Sequence, residues 1–332
     1  MKKPDIVMLQ GSDYTERIFK PSQLEKLKQI GNLRINPRAG SPSVEEAAEL
    51  VKDADIVITS WGCPSLDATI LAGCPDLKLI AHAAGTVKPI LSPDVLSRGI
   101  RVCSANDALA QGVAETTLGL TIVSLKNIWQ LARNTREGEW EKQRDLVREL
   151  YEVTIGVIGA GLSGAHFIRL LKQFDVKVMV YDPFLTEEKI SKMGAVKVEL
   201  DQLLMESDVV SIHAPSITET NNLMNERTLK LMKDNAILIN TARGSLIDEE
   251  ALVTELRKGR LWACLDVTQP EPPDVNHPFR TLPNVTLIPH IAGAINNGLF
   301  RVANYLIGEV ELFVQGKQLR GEVNLSNLHS MA

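Results

Sequence analysis

Thr154-Ile-Gly-Val-Ile-Gly-Ala-Gly-Leu-Ser-Gly164 is the stretch whose reading decides the fold. A β-branched, apolar run stops at Gly159, and an amphipathic helical pattern begins within a few residues. Between them lies the spacing Gly159-x-Gly161-x-x-Gly164. The run Val176-Lys-Val-Met-Val-Tyr-Asp182 reads as the next strand and ends on an acid 18 residues past Gly164. Gly159 permits a tight turn, Gly161 lets backbone approach a pyrophosphate, and Gly164 lets helix and strand pack closely. The free N–H groups and positive dipole end of the helix would then face phosphates. Strand, motif, helix, strand and terminal acid in one short unit point to a bound dinucleotide. Asp182 would accept from the adenine ribose hydroxyls and repel a 2′-phosphate. Its neighbours Tyr181 and Pro183 offer no positive charge, so NAD is expected rather than NADP. The competing reading is a strand-end Asp that caps a turn.

Outward from this unit, 332 residues suffice for two domains with sizeable cores. Hydrophobic content of 44% and charged content of 23% are those of a soluble globular chain. A net charge of −5 argues against nucleic acid or an anionic membrane as the main partner. The opening Met-Lys-Lys-Pro-Asp-Ile-Val reads as a first strand rather than a signal peptide. No apolar stretch is expected to approach the ~20 residues of a membrane helix. Cys63, Cys74, Cys103 and Cys264 show no CxxC pairing, as expected of reduced thiols in a cytoplasmic protein.

The first hundred residues alternate strand and helix without a glycine-rich fingerprint, and Ser43-x-x-Glu46 is a capping-box pattern. Asn106 to about Leu131 reads as one long helix, apolar nearly all round from Val113 to Leu125, which must be covered on every side. Arg133–Leu150 reads as a charged, exposed excursion. Strands at Val209–His213, Ala236–Asn240, Trp262–Val267 and Val285–Pro289 follow the nucleotide unit. The helical face Leu299, Val302, Leu306, Val310 and Phe313 comes after those strands, so it is expected back on the first domain. The expected architecture is therefore α/β, with two doubly wound parallel-sheet domains, Rossmann-like and flavodoxin-like, and a cleft between them. Residues 1–104 with 296–332 would form the substrate domain, and 105–295 the NAD-binding domain.

Ligands of open α/β sheets collect at the carboxyl ends of strands. Arg243, Glu271 and His290 each follow such an end. Alone, each has a plain explanation: a salt bridge, a solvated turn, a capped histidine. Together with a dinucleotide they are the groups hydride transfer to a 2-keto acid requires. A guanidinium clamps the carboxylate and polarises the ketone. An imidazole delivers the proton, and a carboxylate favours the imidazolium. No metal-ligand pattern accompanies them.

Five stretches make the chain resemble the D-isomer-specific 2-hydroxyacid dehydrogenase family from end to end. They are Gly156–Gly164, Ser211-Ile-His-Ala-Pro215 with Glu219-Thr220, Ile239-Asn-Thr-Ala-Arg-Gly244, Leu265-Asp-Val-Thr-Gln-Pro-Glu-Pro272 and Pro289-His-Ile-Ala-Gly293. The resemblance implies that Arg243 binds and polarises substrate, that His290 is the acid/base, and that Glu271 is its partner. It implies that Asp266 orients the nicotinamide carboxamide and that Leu162 and Ser163 meet the pyrophosphate. His213, Pro215 and Thr220 would surround the adenosine half, with Thr241 and Val113 near the nicotinamide. Ala84-Gly85-Thr86 matches the loop whose backbone holds the substrate carboxylate, and a homodimer through the NAD-binding domains is implied. Val87 and Ile90 depart from the family, standing where acids are usual. Lys88, Trp61 and His82 are also unusual, either as local packing and surface charge or as a pocket altered for a different acid. An NAD(H)-sensing regulatory protein of the same fold is the alternative to an enzyme. Formate oxidation is disfavoured by Glu271.

Overall fold

A computed structural model describes residues 3–325 and 328. Residues 1, 2, 326, 327 and 329–332, which the sequence reading gives to the ends of the first domain, lie outside it. The chain separates into two compact units. One runs to Leu109 and resumes at Ala294; the other is Ala110–Gly293.

The first unit holds β1 (Asp5–Met8), β2 (Asn32–Ile35), β3 (Ile56–Thr59), β4 (Leu79–His82) and β5 (Arg101–Ser104), in the spatial order β2-β1-β3-β4-β5. Every pairing is parallel. Both faces are buried, so β3 and β4 read as apolar runs that turn polar only at their last residues, Thr59 and His82. Along β1, Ile6 and Met8 pack with Ile18, Leu27, Val302 and Leu306, while Val7 packs with Ala47, Val51 and Ile70. The last helix, Leu299–Val314, therefore lies on this sheet. Ser43 caps Val44–Leu50 in the expected capping box. The helix Ser12–Ile18 was not legible, because its polar run Ser-Asp-Tyr-Thr-Glu-Arg shows no apolar period.

The second unit holds β6 (Thr154–Ile158), β7 (Lys177–Tyr181), β8 (Val196–Lys197), β9 (Val209–Ile212), β10 (Ala236–Asn240), β11 (Leu261–Leu265) and β12 (Val285–Leu287). Their order, β12-β11-β10-β9-β6-β7-β8, reverses at β6. That reversal is the switch point at which doubly wound sheets bind ligands.

Two expectations are corrected here. The helix expected to reach Leu131 ends at Leu125, and a second, Ile128–Arg136, takes in the first residues of the expected excursion. The break is Asn127, in the left-handed region at φ 50 and with non-helical geometry at the next helix's N-cap. Asn106–Leu125 is also, by length and composition, apolar enough to cross a membrane, contrary to the sequence reading. Its Ala114, Leu120 and Leu125 pack with Ile155, Val157 and Phe167 on the seven-stranded sheet. Thr117 and Ser124 on the same helix pair with Thr241 and Cys264 there.

Candidate active site

The three glycines of the turn after β6 meet three different constraints. Gly159 has φ 86, and a Cβ there would lie 2.8 Å from the Ala214 nitrogen. A Cβ on Gly164 would lie 2.2 Å from the Gly159 carbonyl oxygen, so any side chain would push helix and strand apart. Gly161 has nothing within 4 Å of that position, which leaves its backbone open to a ligand. The helix Leu162–Leu171 starts with no side-chain cap, and Leu162 is exposed. Its orphan N–H groups suit an anion.

Asp182, buried at the end of β7, accepts from Ala160 N–H at 2.9 Å, Phe184 N–H at 2.9 Å and Leu185 N–H at 3.1 Å. It is therefore a turn cap, and it also ties β7 to the glycine turn. A carboxylate has about four acceptor positions, so a sugar hydroxyl still has a place. His213 is buried against Phe167, with Nε2 2.9 Å from Ser211 Oγ and Nδ1 3.3 Å from Ser163 Oγ. Burial lowers its pKa to about 3. It is a neutral ring bracing the turn, and both its nitrogens are engaged within the protein. Thr220 folds its loop back by donating to the Pro215 carbonyl at 2.6 Å and accepting from Ile217 N–H.

The turns that carry the candidate side chains stand on buried polar anchors. Asn240, the last residue of β10, accepts from Ala242 N–H and donates to the Arg243 carbonyl, fixing the backbone under an exposed Arg243. Thr241 Oγ1 lies 3.0 Å from Thr117 Oγ1, whose hydroxyl donates to the carbonyl of the half-buried Val113. A Cβ on Gly244 would meet the Thr268 carbonyl carbon at 2.2 Å, so only glycine lets the Arg243 turn press on the turn leading to Glu271. Arg243 and Glu271 line one open pocket of about 750 Å³, together with Thr268, Gln269, Ser216 and Asn221.

His290 takes φ 50, the left-handed region in which a non-glycine residue costs free energy and which recurs at functional sites. Its Nδ1 lies 2.6 Å from Glu271 Oε1. Asp266, only 2% exposed, holds this turn from below. It accepts from Ile291 N–H at 2.6 Å and Ala292 N–H at 3.0 Å, and its carbonyl takes His290 N–H at 2.9 Å. Burial raises its carboxyl pKa against those two amides. The sequence reading gave this carboxylate to a cofactor amide; both its oxygens already serve the chain after His290.

At the edge of the first sheet, Ala84 is buried and Gly85 and Thr86 lie just past β4, Gly85 half-buried. Val87 and Ile90, which stand where the resembled family usually has acids, are core residues at 3% and 2% exposure, packed in the cluster of Val57, Ile80 and Val102. His82 is likewise internal. Its Nδ1 meets Thr59 Oγ1 at 2.9 Å, and burial lowers its pKa to about 4. Local packing accounts for these three, while Lys88 and Trp61 are exposed.

Sequence reasoning missed Asn240 and Glu249. The first is the last residue of an expected strand, and the second lies in the acidic run Asp248-Glu-Glu250, where nothing in the sequence sets it apart. Glu249 Oε1 accepts from Gln269 N–H at 2.7 Å, two residues before Glu271. The four cysteines are free, and among the described residues no His, Cys, Asp or Glu cluster is placed to hold a metal.

A profile described as the D-isomer specific 2-hydroxyacid dehydrogenase NAD binding domain matches residues 118–292. Glyoxylate reductase of Thermofilum pendens is 34% identical over 320 residues, covering 94% of each chain. D-3-phosphoglycerate dehydrogenase of Methanocaldococcus jannaschii is 33% identical over 91% of this chain but only 57% of its own. The chain thus spans little more than half the length of such phosphoglycerate dehydrogenases. Among solved structures, the TT0316 protein of Thermus thermophilus is 29% identical, with a TM-score of 0.75 over 96% of this chain and 99% of its own.

Proposed function

The chain belongs to the D-isomer specific 2-hydroxyacid dehydrogenase family, and on that premise we propose that it is an NAD-dependent oxidoreductase interconverting a 2-keto acid and a D-2-hydroxy acid. The observation that carries this reading is the 2.6 Å pair of His290 and Glu271, with Glu271 sharing a pocket with Arg243. Gly159, Gly161, Leu162, Ser163 and Gly164 would hold the pyrophosphate and Asp182 the adenine ribose. His213, Pro215 and Thr220 would shape the adenosine side, with Val113, Thr241 and Asp266 toward the nicotinamide. The open Gly161 backbone, the uncapped helix and the spare acceptor position on Asp182 fit that group. When bound, the cofactor supplies the hydride.

The side chains do the rest. Arg243 presents a fork of N–H donors that matches a carboxylate and polarises the adjacent carbonyl. Glu271 sits on Nδ1 of His290, which fixes the ring's orientation and leaves Nε2 to give a proton to the forming alkoxide. In the oxidative direction the neutral ring takes that proton back. Backbone N–H groups of Ala84, Gly85 and Thr86 would receive the substrate carboxylate.

A homodimer through the NAD-binding unit belongs to this reading. Ile128, Trp129, Trp140 and Tyr151 are exposed on the segments that follow Asn106–Leu125 in the chain, apolar side chains that a second copy would cover. Cytoplasmic localisation follows from the same family reading.

NADH oxidation measured against glyoxylate, hydroxypyruvate and pyruvate tests the proposal. Turnover with at least one is expected. Tight NADH binding with silence across a broad keto-acid panel would replace the enzyme with an NAD(H) sensor.

A further inference from the structure

Glu271 rides on the loop Gln269–His277, whose Pro270, Pro272 and Pro273 cannot donate backbone hydrogen bonds. Such a loop needs anchors if it is to hold a carboxylate in register with a ring on another turn. One side chain supplies both ends. Glu249 Oε1 accepts from Gln269 N–H at 2.7 Å at the loop's start. Glu249 Oε2 lies 3.2 Å from His277 Nε2 at its end.

The proton on that second contact can be assigned. His277 Nδ1 accepts from Phe279 N–H at 3.3 Å, so the neutral ring carries its hydrogen on Nε2 and donates it to Glu249. Phe279 is buried and packs edge-on to the imidazole at 4.5 Å, which fixes the ring plane. Glu249 is spared the usual duty of a first-turn acid, because Asp248 caps the helix Glu249–Arg257 through Ala251 N–H. Burial raises the Glu249 carboxyl pKa, opposed by the Gln269 amide, as expected of an acceptor drawn out of water to serve a loop.

We propose that Glu249 is a positioning residue for the reaction: its carboxylate closes the Gln269–His277 loop at both ends and so holds Glu271 on His290. This rests on the pairing of Glu271 with His290 in the function proposed above. With the clamp gone, the loop drifts, and an ångström of drift at a reacting group costs on the order of a hundredfold.

The test uses full-length protein and the variants Glu249→Ala, Glu249→Gln and Glu271→Gln, with Glu250→Ala as a control for lost first-turn charge. Two quantities are read: NADH affinity by fluorescence quenching, and the His290 imidazole titration by NMR on ring-labelled histidine, assigned with His290→Asn. Neither needs a known substrate. Expected is a Glu249→Ala titration displaced to lower pH in the direction of Glu271→Gln, with NADH affinity held within about twofold. Glu249→Gln, near-isosteric and able to accept from one loop end, should fall between parent and Ala; it decides the matter if the Ala variant does not fold. Glu250→Ala should match the parent. Where a keto acid is turned over, kcat should fall about ten- to a hundredfold in Glu249→Ala with KM less affected. A parent-like His290 titration in both Glu249 variants, while Glu271→Gln moves it, overturns the clamp and leaves the pairing standing. A titration that Glu271→Gln also leaves unmoved removes the pairing itself, and the clamp's role with it.

Discussion

The carboxyl edges of the two sheets are built on opposite plans. Past β4 in the five-stranded sheet the loop turns inward. Val87 and Ile90 are core, and His82 is locked neutral on Thr59. Past β10, β11 and β12 in the seven-stranded sheet, Arg243, Glu271 and His290 are exposed, and buried polar residues, Asn240 and Asp266 among them, lie at the same turns. Asn240 and Asp266 spend their hydrogen bonds on the backbone of the reactive turns. The contrast teaches that one edge presents exposed ionisable side chains on polar supports, while the other turns its side chains into the core. A buried polar residue that hydrogen-bonds main chain is what allows an exposed one to be held in place.

The largest expected effect is on the reactive edge. Arg243→Ala should lower kcat by roughly a hundred- to a thousandfold, by analogy with loss of a donor that stabilises developing negative charge. NADH affinity should stay within about twofold. Strongly weakened NADH binding with normal turnover would move Arg243 from substrate to cofactor. On the edge past β4, Val87→Asp should cost roughly 3 kcal/mol of stability, since an unpaired carboxylate would enter an apolar cluster. A denaturation midpoint equal to the parent's would mean the loop is not core, and the contrast would fail there.

A smaller effect is expected for Glu271→Gln. The imidazolium loses its partner at 2.6 Å, so the pH–rate limb that reports the proton donor should move to lower pH. An unchanged profile would rule the pairing out. The effect that is smallest at neutral pH is shared by both units. His82 and His213 titrate near about 4 and about 3 because burial disfavours the charged ring. In the unfolded chain each protonates near about 6.5, so their contribution to stability is complete above that pH and is lost as pH falls through the folded values. The slope is about 1.4 kcal/mol per pH unit per histidine. His213→Asn should flatten the acid side of a stability–pH curve by one such slope; an unaltered curve would mean the ring is not neutral in the fold.

Much of this was legible beforehand where local pattern and tertiary role agree. Gly159, Gly161 and Gly164 each meet the constraint their spacing implied, and buried parallel strands announce themselves as apolar runs. Illegible features depended on partners distant in sequence. Nothing near Asn127 marks a helix break. Val87 and Ile90 looked like lost acids because only the packed cluster shows them to be core. Glu249 does not stand out in the sequence, since its partners are residues 20 and 28 positions further along the chain. The amides that Asp266 accepts, those of Ile291 and Ala292, were not foreseen, because hydrogen bonds to backbone leave no mark on composition.

The central claim is that the edge carrying Arg243, Glu271 and His290 passes hydride from NADH to the carbonyl carbon of a 2-keto acid. NADH dideuterated at the nicotinamide C4, incubated with the protein and each keto acid of the panel, tests it directly by mass spectrometry and chiral chromatography of the product. The account predicts a 2-hydroxy acid of D configuration carrying one deuterium at C2, at a rate that collapses in Arg243→Ala. An unlabelled product, or no product from protein that binds NADH tightly, would contradict it.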